Sequence, residues 1–439
     1  MKYCLAIDIG ASGGRHIVGW RDGGGIKTAE VYRFENGMDN VDGHLVWDVE
    51  RLFREVKLGI RAAFAKFPII ESLSIDTWGV DYVLMRGDKE VLPAYAYRDS
   101  RVDSVIDTVH SIISAEELYS LTGVQSLSFN TVYQLYADKL AGRLEGVTDF
   151  LMIPEYLMYR LTGVKKKEFT EASTAELVSA VSGQFDESIF ERLGYPKCLM
   201  GELFAPGTYV GELTEEVARE VEGRCKVVFC ATHDTGSAVE AIDMDTDAPY
   251  ISSGTWSLLG VKTEKPLTDE KSRKSGYSNE GGVGYNRYLK NITGMWIIQS
   301  LRKEICPDLP YGDIAYMASK SEFRGLFDVN DPCFMAPVSM KAAIRDYFSA
   351  RGMEIPTKDE DYFNSAYHSL ADGYRAAIAE LECNVGKSYS EIYIVGGGAK
   401  NAYLNDLTEK YTKKRVVALP IEATAIGNLK IQLNMTEEK

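Results

Sequence analysis

The sequence predicts an α/β protein built from two similar halves, and three observations support this prediction. Each half begins with an apolar strand, a glycine-containing turn and a returning strand. In each half, helices with one apolar face then alternate with further strands. The composition is globular, because 45% of the 439 residues are apolar and 26% are charged. At about 150 residues per domain, this length allows two large domains or three ordinary ones.

The first half contains three predicted strands, one helix and two further strands. The strands are expected at 3–9, 16–20, 27–34, 73–76 and 81–85, and a tight turn joins the first two at 10–14. The helix follows from a recurring apolar face formed by Val49, Leu52, Phe53, Val56, Ile60 and Phe64. This mixture of strands and helices predicts one mixed α/β sheet for the first half.

The second half repeats the pattern. Strands are predicted at 248–252, 256–261, 391–395 and 415–419, and the apolar face of a helix is formed by Ala366, Leu370, Tyr374, Ile378 and Leu381. Pro420 is expected to break the chain before a last helix that begins near Ala423. The acidic stretch 243–247 is the predicted join, which gives domains at 1–243 and 244–439.

Charge and cysteine usage limit the possible partners and compartment. The formal net charge is −15, and the longest basic cluster, 165–167, is typical of a solvated loop, so no nucleic-acid partner is expected. No apolar run approaches the ~18 residues of a membrane helix, and no secretory signal is expected. Seven cysteines and five histidines, without CxxC or HExxH, favour neither a disulfide framework nor a zinc site. We expect a cytoplasmic protein.

The turn at 10–15 has the chemistry of a phosphate site. Its three glycines let the backbone approach an anion closely, the Ser12 hydroxyl can donate, and Arg15 adds a charge-assisted donor. Asp8 precedes the turn at the end of a strand, where a carboxylate beside phosphate requires a cation, so Mg²⁺ held through water is expected. A plain glycine-rich hairpin is the alternative interpretation.

Two further glycine-containing segments differ in how well they fit a nucleotide site. Residues 386–388 imitate the tail of a P-loop, but Leu381 stands where the first glycine of that motif belongs, inside a helix face. Residues 396–398 are all glycine, follow a strand, and could admit a base or ribose against bare backbone. They could equally form an ordinary strand-to-helix turn.

Two polar loops could act on a sugar. In residues 75–81, Asp76, Trp78 and Gly79 offer acceptors for hydroxyls and an apolar ring for a carbon face. The alternative is a hairpin whose Trp belongs to the core. In residues 232–237, Asp234 follows a strand and stands beside His233, so its carboxylate could act on a bound group or merely cap the next helix.

Taken in order, these segments resemble the FGGY family of sugar kinases along essentially the whole chain. The segments are AIDIGASGGR at 6–15, SIDTWGVDYVL at 74–84, AYRDSR at 96–101, FNTVYQL at 129–135, MIPEYLMYRLTG at 152–163, THDTGSAV at 232–239, SSGTWSL at 252–258, NEGG at 279–282, NITGMW at 291–296 and IVGGGAKN at 394–401. Gly236 replaces a more usual alanine. The chain ends at Lys439, whereas family members are expected to continue with further helical sequence, which would leave the second domain truncated.

The resemblance implies two ribonuclease-H-like domains of the actin-like ATPase fold, with the active site in the cleft between them. It implies transfer of the ATP γ-phosphoryl group to the 1-hydroxyl of L-rhamnulose, with Mg²⁺, so that the partners are the sugar and ATP, with no nucleic acid and no membrane. Asp234 would be the catalytic base, and the sugar would contact Gly79, His233, Asp234, Asp76 and Trp78. The nucleotide would contact Ala11, Ser12, Gly13, Gly14, Arg15, Thr255, Asn291, Gln299, Gly396, Gly397 and Gly398.

Three alternatives stay open. Another ketose or polyol kinase of the family, acting on L-fuculose or xylulose for example, would keep the phosphate hairpin and change the sugar loop. An actin-like or chaperone-like nucleotide switch would have no reason for the loop at 75–81. A sugar-responsive repressor would need a basic DNA-binding domain ahead of the first strand. Because that strand is predicted to begin at Tyr3, we expect no room for such a domain.

Overall fold

The computed structural model describes residues 2–244, 247–419 and 422–435, and it contains strands throughout both halves. The strands are β1 Cys4–Gly10, β2 Gly13–Asp22, β3 Gly25–Glu35, β4 Asp39–Val41, β5 His44–Trp47, β6 Ser72–Thr77, β7 Tyr82–Arg86, β8 Lys89–Val91, β9 Ala94–Tyr95, β10 Asp149–Met152, β11 Lys167–Glu168, β12 Leu203–Phe204, β13 Tyr209–Glu212, β14 Lys226–Val228, β15 Tyr250–Ser253, β16 Trp256–Thr263, β17 Ser278–Gly281, β18 Asn286–Thr293, β19 Glu391–Val395 and β20 Arg415–Leu419.

Helices connect these strands and cover the sheets. They are α1 Val49–Lys66, α2 Ile106–Ile112, α3 Ala115–Thr122, α4 Thr131–Leu140, α5 Ile153–Thr162, α6 Phe169–Ala172, α7 Glu187–Leu193, α8 Glu215–Glu220, α9 Asp234–Glu240, α10 Glu270–Lys274, α11 Trp296–Ile305, α12 Tyr311–Ser319, α13 Met340–Ala350, α14 Asp359–Val385, α15 Ala402–Thr412 and α16 Ala423–Met435. Within the described ranges, no helix is both long and apolar enough to cross a lipid bilayer.

Two six-stranded mixed sheets form the centres of the two halves. Their strand orders are β13-β14-β6-β1-β2-β3 and β17-β18-β16-β15-β19-β20. In the first sheet, β1 runs antiparallel to β2 and parallel to β6. In the second, β15 runs antiparallel to β16 and parallel to β19. This shared arrangement confirms the predicted α/β class and the repetition between halves.

The predicted helix faces are the buried faces. Along α1, the six residues of the predicted apolar stripe are all buried, and they pack into the core of the first sheet. The stripe predicted on α14 is buried in the core of the second half. Burial of each large apolar side chain contributes about 1.5–3 kcal/mol, so these two faces fix which side of each helix meets its sheet.

The first half does not form the single mixed sheet that was predicted for it. The loop at 75–81 connects two sheets, because β6 belongs to the first large sheet whereas β7 pairs with β8 and β10 in a separate three-stranded sheet. The alternative interpretation of this loop as a hairpin is therefore wrong. The chain changes direction at Val80, which has a φ of +69°. Two other predictions fall partly or wholly outside the described residues. These are the break at Pro420 and the middle of the 243–247 join, although the last helix does begin at Ala423.

The last helix, α16, packs against the first sheet and against α9. Leu429 and Leu433 share a buried cluster with Cys4 and Ile17 of that sheet. At Gly427 the helices approach so closely that a Cβ there would lie 1.7 Å from the Ser237 carbonyl oxygen. The end of the chain is therefore part of the structure around its beginning.

Gly427→Ala should destabilise the protein, because the added methyl has no room against the backbone of α9. We expect a cost of about 1–3 kcal/mol, seen as a lower urea midpoint of unfolding. Gly312→Ala in α12 is the matched control, since a Cβ there meets nothing within 4 Å. That variant should be neutral or up to about 1 kcal/mol more stable. Equal midpoints for the two variants would contradict the close packing of α16 on α9.

Candidate active site

Three aspartates meet at one edge of the first sheet. Asp8 on β1 lies directly opposite Asp76 on the parallel strand β6. Asp234 follows β14, the next parallel strand, as the first residue of α9. The Thr77 N–H donates to the Thr232 carbonyl oxygen at 2.8 Å, so the segment before Asp234 stays paired with the end of β6. Parallel strands thus bring three carboxylates from distant positions to the same edge.

Burial and mutual repulsion perturb two of these carboxyl groups. Burial raises the pKa of Asp8 to about 6, against the opposing charge of Arg15 and with a further contribution from Asp234. Burial, then the Asp8 charge, raises the pKa of Asp76 well above its usual range. Asp76 Oδ2 accepts a 2.5 Å hydrogen bond from Asn428 Nδ2. Among the described residues, Asp76 Oδ1 has no hydrogen-bond partner.

The predicted phosphate hairpin is the β1–β2 turn, in which Gly10 pairs with Gly13 across Ala11 and Ser12. Ala11 and Ser12 form its accessible tip, and Gly14 is buried. The sheet itself requires the last glycine, because a Cβ at Gly14 would lie 2.3 Å from the Phe34 ring. None of the three glycines in this turn has a left-handed φ. Gly13 and Gly14 serve close packing against Phe34 rather than an unusual backbone conformation, whereas a Cβ at Gly10 would make only an ordinary contact.

Arg15 is placed at the aspartate edge but is already paired. Its Nη2 donates to Asp8 Oδ2 at 2.7 Å, and its Nη1 pairs with Glu422, which precedes α16. The guanidinium therefore connects the first strand of the chain to its last helix. A phosphate group binding here would compete with Glu422 for the same donor.

The predicted sugar loop is held from behind by buried groups. The Trp78 indole N–H donates to Asp81 Oδ2 at 2.9 Å, and the ring lies against Trp47 with centroids 4.2 Å apart. Trp78 is only 7% exposed, so the core interpretation of this residue is the better one. Burial raises the pKa of Asp81 to about 6, although hydrogen bonds from Gln134 and both tryptophans oppose the shift.

The backbone of that loop is strained and tightly packed. Val80 has a left-handed φ although its side chain is β-branched, which is an uncommon and costly combination. Its N–H donates to Thr174 Oγ1 at 3.1 Å, and its carbonyl accepts from Thr131 Oγ1 at 2.7 Å. A Cβ at Gly79 would lie 2.9 Å from Thr174 Oγ1. The surrounding hydroxyls therefore fix the loop in one conformation.

Asp234 is the accessible carboxylate of the three. Its side chain is 32% exposed, and its Oδ1 accepts from Thr235 Oγ1 at 3.1 Å. The N-cap position of α9 is His233, whose side chain makes no cap hydrogen bond. Asp234 therefore does not serve as the cap that the alternative interpretation required. Its place in the first helical turn still favours a negative charge.

Residues 168–174 were missed by sequence reasoning, and they support both loops. Thr232 Oγ1 donates to Glu168 at 2.6 Å, while Thr174 holds the loop at 79–80. Glu171 is fully buried, and neither of its carboxylate oxygens has a hydrogen-bond partner within the described chain. Burial, then neighbouring carboxylates including Asp234, raises its pKa well above the usual range. In the sequence, the largely polar run EFTEAST at 168–174 is the feature that could have indicated a role for these residues.

The second sheet offers a comparable edge. Thr255 Oγ1, in the turn between β15 and β16, donates to Gln299 Oε1 at 3.3 Å. Asn291 is exposed on β18, opposite Leu258. The predicted glycine turn follows the parallel strand β19, so both turns lie at one edge of this sheet.

Packing explains two of the three glycines after β19. Gly396 has a φ of +84°, and a Cβ there would lie 2.8 Å from the Ser253 carbonyl oxygen. A Cβ at Gly398 would overlap the Ser253 hydroxyl, at 2.0 Å. Only Gly397 has open space at its Cβ position and an exposed backbone. The strand-to-helix turn is therefore structural, with Gly397 as its accessible point.

A repeated α/β fold, with three carboxylates and a tight turn at one edge of the first sheet and two tight turns at one edge of the second, is that of a two-domain phosphotransferase of the actin-like class. Residues 3–239 match the N-terminal domain, and residues 249–435 the C-terminal domain, of the FGGY family of carbohydrate kinases. The chain belongs to this family, whose kinases use ATP.

Relatives and solved structures agree with this membership. The chain is 40% identical to rhamnulokinase of Oceanobacillus iheyensis, over 99% of this chain and 93% of the relative. It is 41% identical to rhamnulokinase of Halalkalibacterium halodurans, over 98% and 93%. A ligand-bound xylulose kinase from Lactobacillus acidophilus superposes with a TM-score of 0.82 at 14% identity, over 100% of this chain and 90% of that chain. Plasmodium falciparum glycerol kinase with ADP gives 0.80 at 13%, with the same coverage. These structures support the fold.

Relative to the wild type, Asp76→Asn should be more stabilising at pH 8 than at pH 5. Because the folded-state pKa of Asp76 is raised above its ordinary value of 3.8, the wild type loses stability as pH rises from about 4 through that raised pKa. The amide removes this loss and can still accept from Asn428. Urea unfolding at both pH values measures the difference.

Asp22→Asn, at the exposed end of β2, is the control and should change stability by less than about 0.5 kcal/mol at either pH. If Asp76→Asn were equally destabilising at pH 5 and pH 8, the carboxylate would be a net stabilising group and the repulsion described above would be wrong.

Proposed function

We propose that this chain transfers the γ-phosphoryl group of ATP to the 1-hydroxyl of L-rhamnulose, which gives L-rhamnulose 1-phosphate and ADP. The observation that carries the proposal is the full-length likeness to relatives named rhamnulokinase, at 36% to 41% identity over 98–100% of this chain. The exposed Asp234 carboxylate at the aspartate edge supplies the group that such a reaction needs.

Asp234 is the proposed catalytic base. As the sugar oxygen bonds to the γ-phosphorus, its proton passes to the Asp234 carboxylate, and the bond from phosphorus to the β–γ bridging oxygen breaks to release ADP. Because the transition state of phosphoryl transfer is loose, the protein contributes mainly positioning and charge stabilisation. Asp234 is suited to this task because it is the accessible member of the three aspartates, whereas Asp8 and Asp76 are buried.

The aspartate edge fits Mg²⁺ bound mainly by phosphate and water. Within the described ranges, no three ligating side chains form a metal cluster, so an all-protein site is not offered. Asp8, with the unpartnered Oδ1 of Asp76 beside it, supplies the one or two carboxylates that Mg²⁺ typically takes from a protein. Mg²⁺ bound there would neutralise phosphate charge. Asp8 would hold the ion through water. Asp76, opposite Asp8 on the neighbouring strand, would contribute its negative charge from farther away.

The proposed nucleotide contacts come from both halves. In the first, the tip residues Ala11 and Ser12 and the adjacent Gly13 present backbone N–H groups, and Arg15 presents its guanidinium. Gly14 is buried, so we assign it to supporting this turn from behind. In the second, the contacts are Thr255, Asn291, Gln299 and the turn Gly396, Gly397 and Gly398. Of this turn, Gly397 is the point where adenosine could lie against bare backbone, because its neighbours pack on Ser253.

The proposed sugar contacts are Gly79, His233 and Asp234. Asp76 and Trp78 are buried, so we assign them to supporting the loops from behind rather than to touching the sugar. We propose that residues 1–243 and 244–439 act as the two domains of a cleft in which sugar and ATP meet. Closing that cleft would exclude water as a competing acceptor. An ATP-dependent kinase of this kind would work in the cytoplasm.

A coupled ADP-release assay across ketoses tests the substrate assignment. L-rhamnulose should give the largest kcat/KM in a panel with L-fuculose, D-xylulose, L-xylulose and glycerol. Contacts to hydroxyls separate such substrates strongly, because a missing partner leaves buried polar groups unpaired. If D-xylulose or glycerol exceeded L-rhamnulose by tenfold or more, the substrate would be wrong while the kinase class would stand. No ADP release with any of these acceptors would contradict the proposal as a whole.

Asp234→Asn tests the base. The amide keeps the size and most hydrogen bonding but cannot take a proton, so kcat should fall by about 10²–10⁴-fold. Sugar and ATP dissociation constants, measured by calorimetry, should stay near those of the wild type.

Asp186→Asn is the matched control for this change. Asp186 is a true N-cap, accepting from the Ser188 and Ile189 N–H groups of α7, and asparagine caps equally well. Its turnover and melting temperature should match the wild type. Turnover of Asp234→Asn within about threefold of the wild type would remove Asp234 from the mechanism.

A further inference from the structure

A buried arginine of the second sheet contacts the ring of His233. Arg287, on β18, is fully buried, and its Nε donates to the Gly281 carbonyl oxygen at 2.7 Å, which fixes the guanidinium against the β17 backbone. Its Nη2 lies 3.0 Å from Glu280 Oε2, so the buried charge is paired with a carboxylate. The same Nη2 lies 3.1 Å from His233 Nδ1, at hydrogen-bond distance. The guanidinium thus connects the second sheet to the residue that precedes Asp234.

This hydrogen bond determines which nitrogen of the ring carries a proton. A guanidinium has no acceptor atom, so Arg287 Nη2 is the donor and His233 Nδ1 is the acceptor. Glu280 Oε2 lies 3.3 Å from the same Nδ1 but accepts no hydrogen bond within the described chain, which agrees with an Nδ1 that carries no proton. A neutral imidazole then has its proton on the other nitrogen, Nε2.

The Nε2 atom of His233 lies on the side of Asp234. Its distance to Asp234 Oδ1 is 3.5 Å, which is long for a hydrogen bond, so the two groups do not saturate each other. The side chains of His233 and Asp234 are 11% and 32% exposed, and each keeps an accessible part. A donor and an acceptor therefore stand side by side. Such a pair suits two neighbouring oxygens of a sugar, one that gives up its proton and one that accepts a hydrogen bond.

We propose that Arg287 is a positioning residue that holds His233 with its proton on Nε2, so that the ring donates to a sugar oxygen next to the hydroxyl that Asp234 deprotonates. This inference rests on the proposed function of Asp234 as base. The opposite tautomer would turn a lone pair towards the Asp234 carboxylate and would have no proton to donate to the sugar. None of the segments that carry the family resemblance includes Arg287, which belongs to the second half of the chain.

The wild-type protein tests the tautomer directly. Because the chain has only five histidines, ¹⁵N-labelled imidazole spectra at pH 8 can be assigned by comparison with His233→Gln. We expect a neutral His233 with its proton on Nε2. A proton on Nδ1, or on both nitrogens, would contradict the assignment. The measurement needs no turnover, so its outcome is separate from that of the proposed sugar kinase activity.

Arg287→Met combined with Glu280→Gln tests the consequence for the reaction. The two residues are changed together because removal of the guanidinium alone would leave the buried Glu280 carboxylate without its counter-charge. We expect a mixture of His233 tautomers. We also expect a kcat/KM for L-rhamnulose lower by about 10–10²-fold, because a group that positions the substrate is no longer held in place. The KM for ATP should change by less than about threefold.

Lys290→Met combined with Glu380→Gln is the matched control. Lys290 lies on the same strand three residues from Arg287, and therefore on the opposite face of β18. Its Nζ forms a 2.7 Å ion pair with Glu380 Oε2 of α14. This double variant also removes one ion pair from β18, and it should keep the wild-type tautomer and kcat/KM.

Two results from the variants would also overturn the assignment. One is a folded Arg287→Met, Glu280→Gln protein, judged by its melting temperature, that keeps the wild-type tautomer or the wild-type kcat/KM. The other is an equal loss in the Lys290 control, which would make the effect one of strand stability. If the first double variant does not fold, the wild-type tautomer still decides. Absent ADP release by the wild type, with the proton found on Nε2, would fault the proposed function and leave the positioning of His233 by Arg287 intact.

Discussion

The register of β1 against β6 is the constraint on which the rest of this structure depends. It sets Asp8 beside Asp76 at the end of two parallel strands, and β14 brings Asp234 to the same edge. Like charges held together away from water are costly, and the raised pKa values of Asp8 and Asp76 express that cost. The surrounding polar contacts offset part of it. Folding thus holds three carboxylates together at a cost in stability, and such a cluster attracts cations.

Residues from the far end of the chain provide that compensation. Asn428 on α16 donates to Asp76, and Gln432 on the same helix donates to the Leu5 carbonyl oxygen of β1. Glu422, just before this helix, shares Arg15 with Asp8. The packing at Gly427 keeps the helix close enough for these contacts. Residues from both ends of the sequence therefore complete the aspartate edge. Its geometry depends on how α16, which comes from the second half of the chain, packs against the first sheet.

Much of the fold could be predicted from sequence, because periodicity reports burial directly. The apolar faces of α1 and α14 and the strands at 391–395 and 415–419 are where the pattern placed them. The expectation of one mixed sheet for the first half was wrong, since a local pattern does not state which sheet a strand such as β7 joins. The left-handed φ of Val80 is unusual for valine and gave no warning.

The residues of the site also fall into those that the sequence could predict and those that it could not. Glycines, Asp8 and Asp234 were detectable because their residue types and places after strands carry chemical meaning. Glu171 and Asn428 were not, because each acquires its surroundings only when distant segments pack together. The sequence left Trp78 open between a sugar contact and the core, because the ring of Trp47 that lies against it comes from a distant segment.

The most direct test of the central claim is a crystal structure of the protein with L-rhamnulose, Mg²⁺ and a non-hydrolysable ATP analogue. The measurement is the distance from the Asp234 carboxylate to the sugar 1-hydroxyl oxygen. We predict a hydrogen bond of about 2.6–3.2 Å, with Mg²⁺ between Asp8 and the phosphates. A sugar bound away from this edge, or a different hydroxyl facing Asp234, would contradict the account that the three aspartates form the phosphoryl-transfer site.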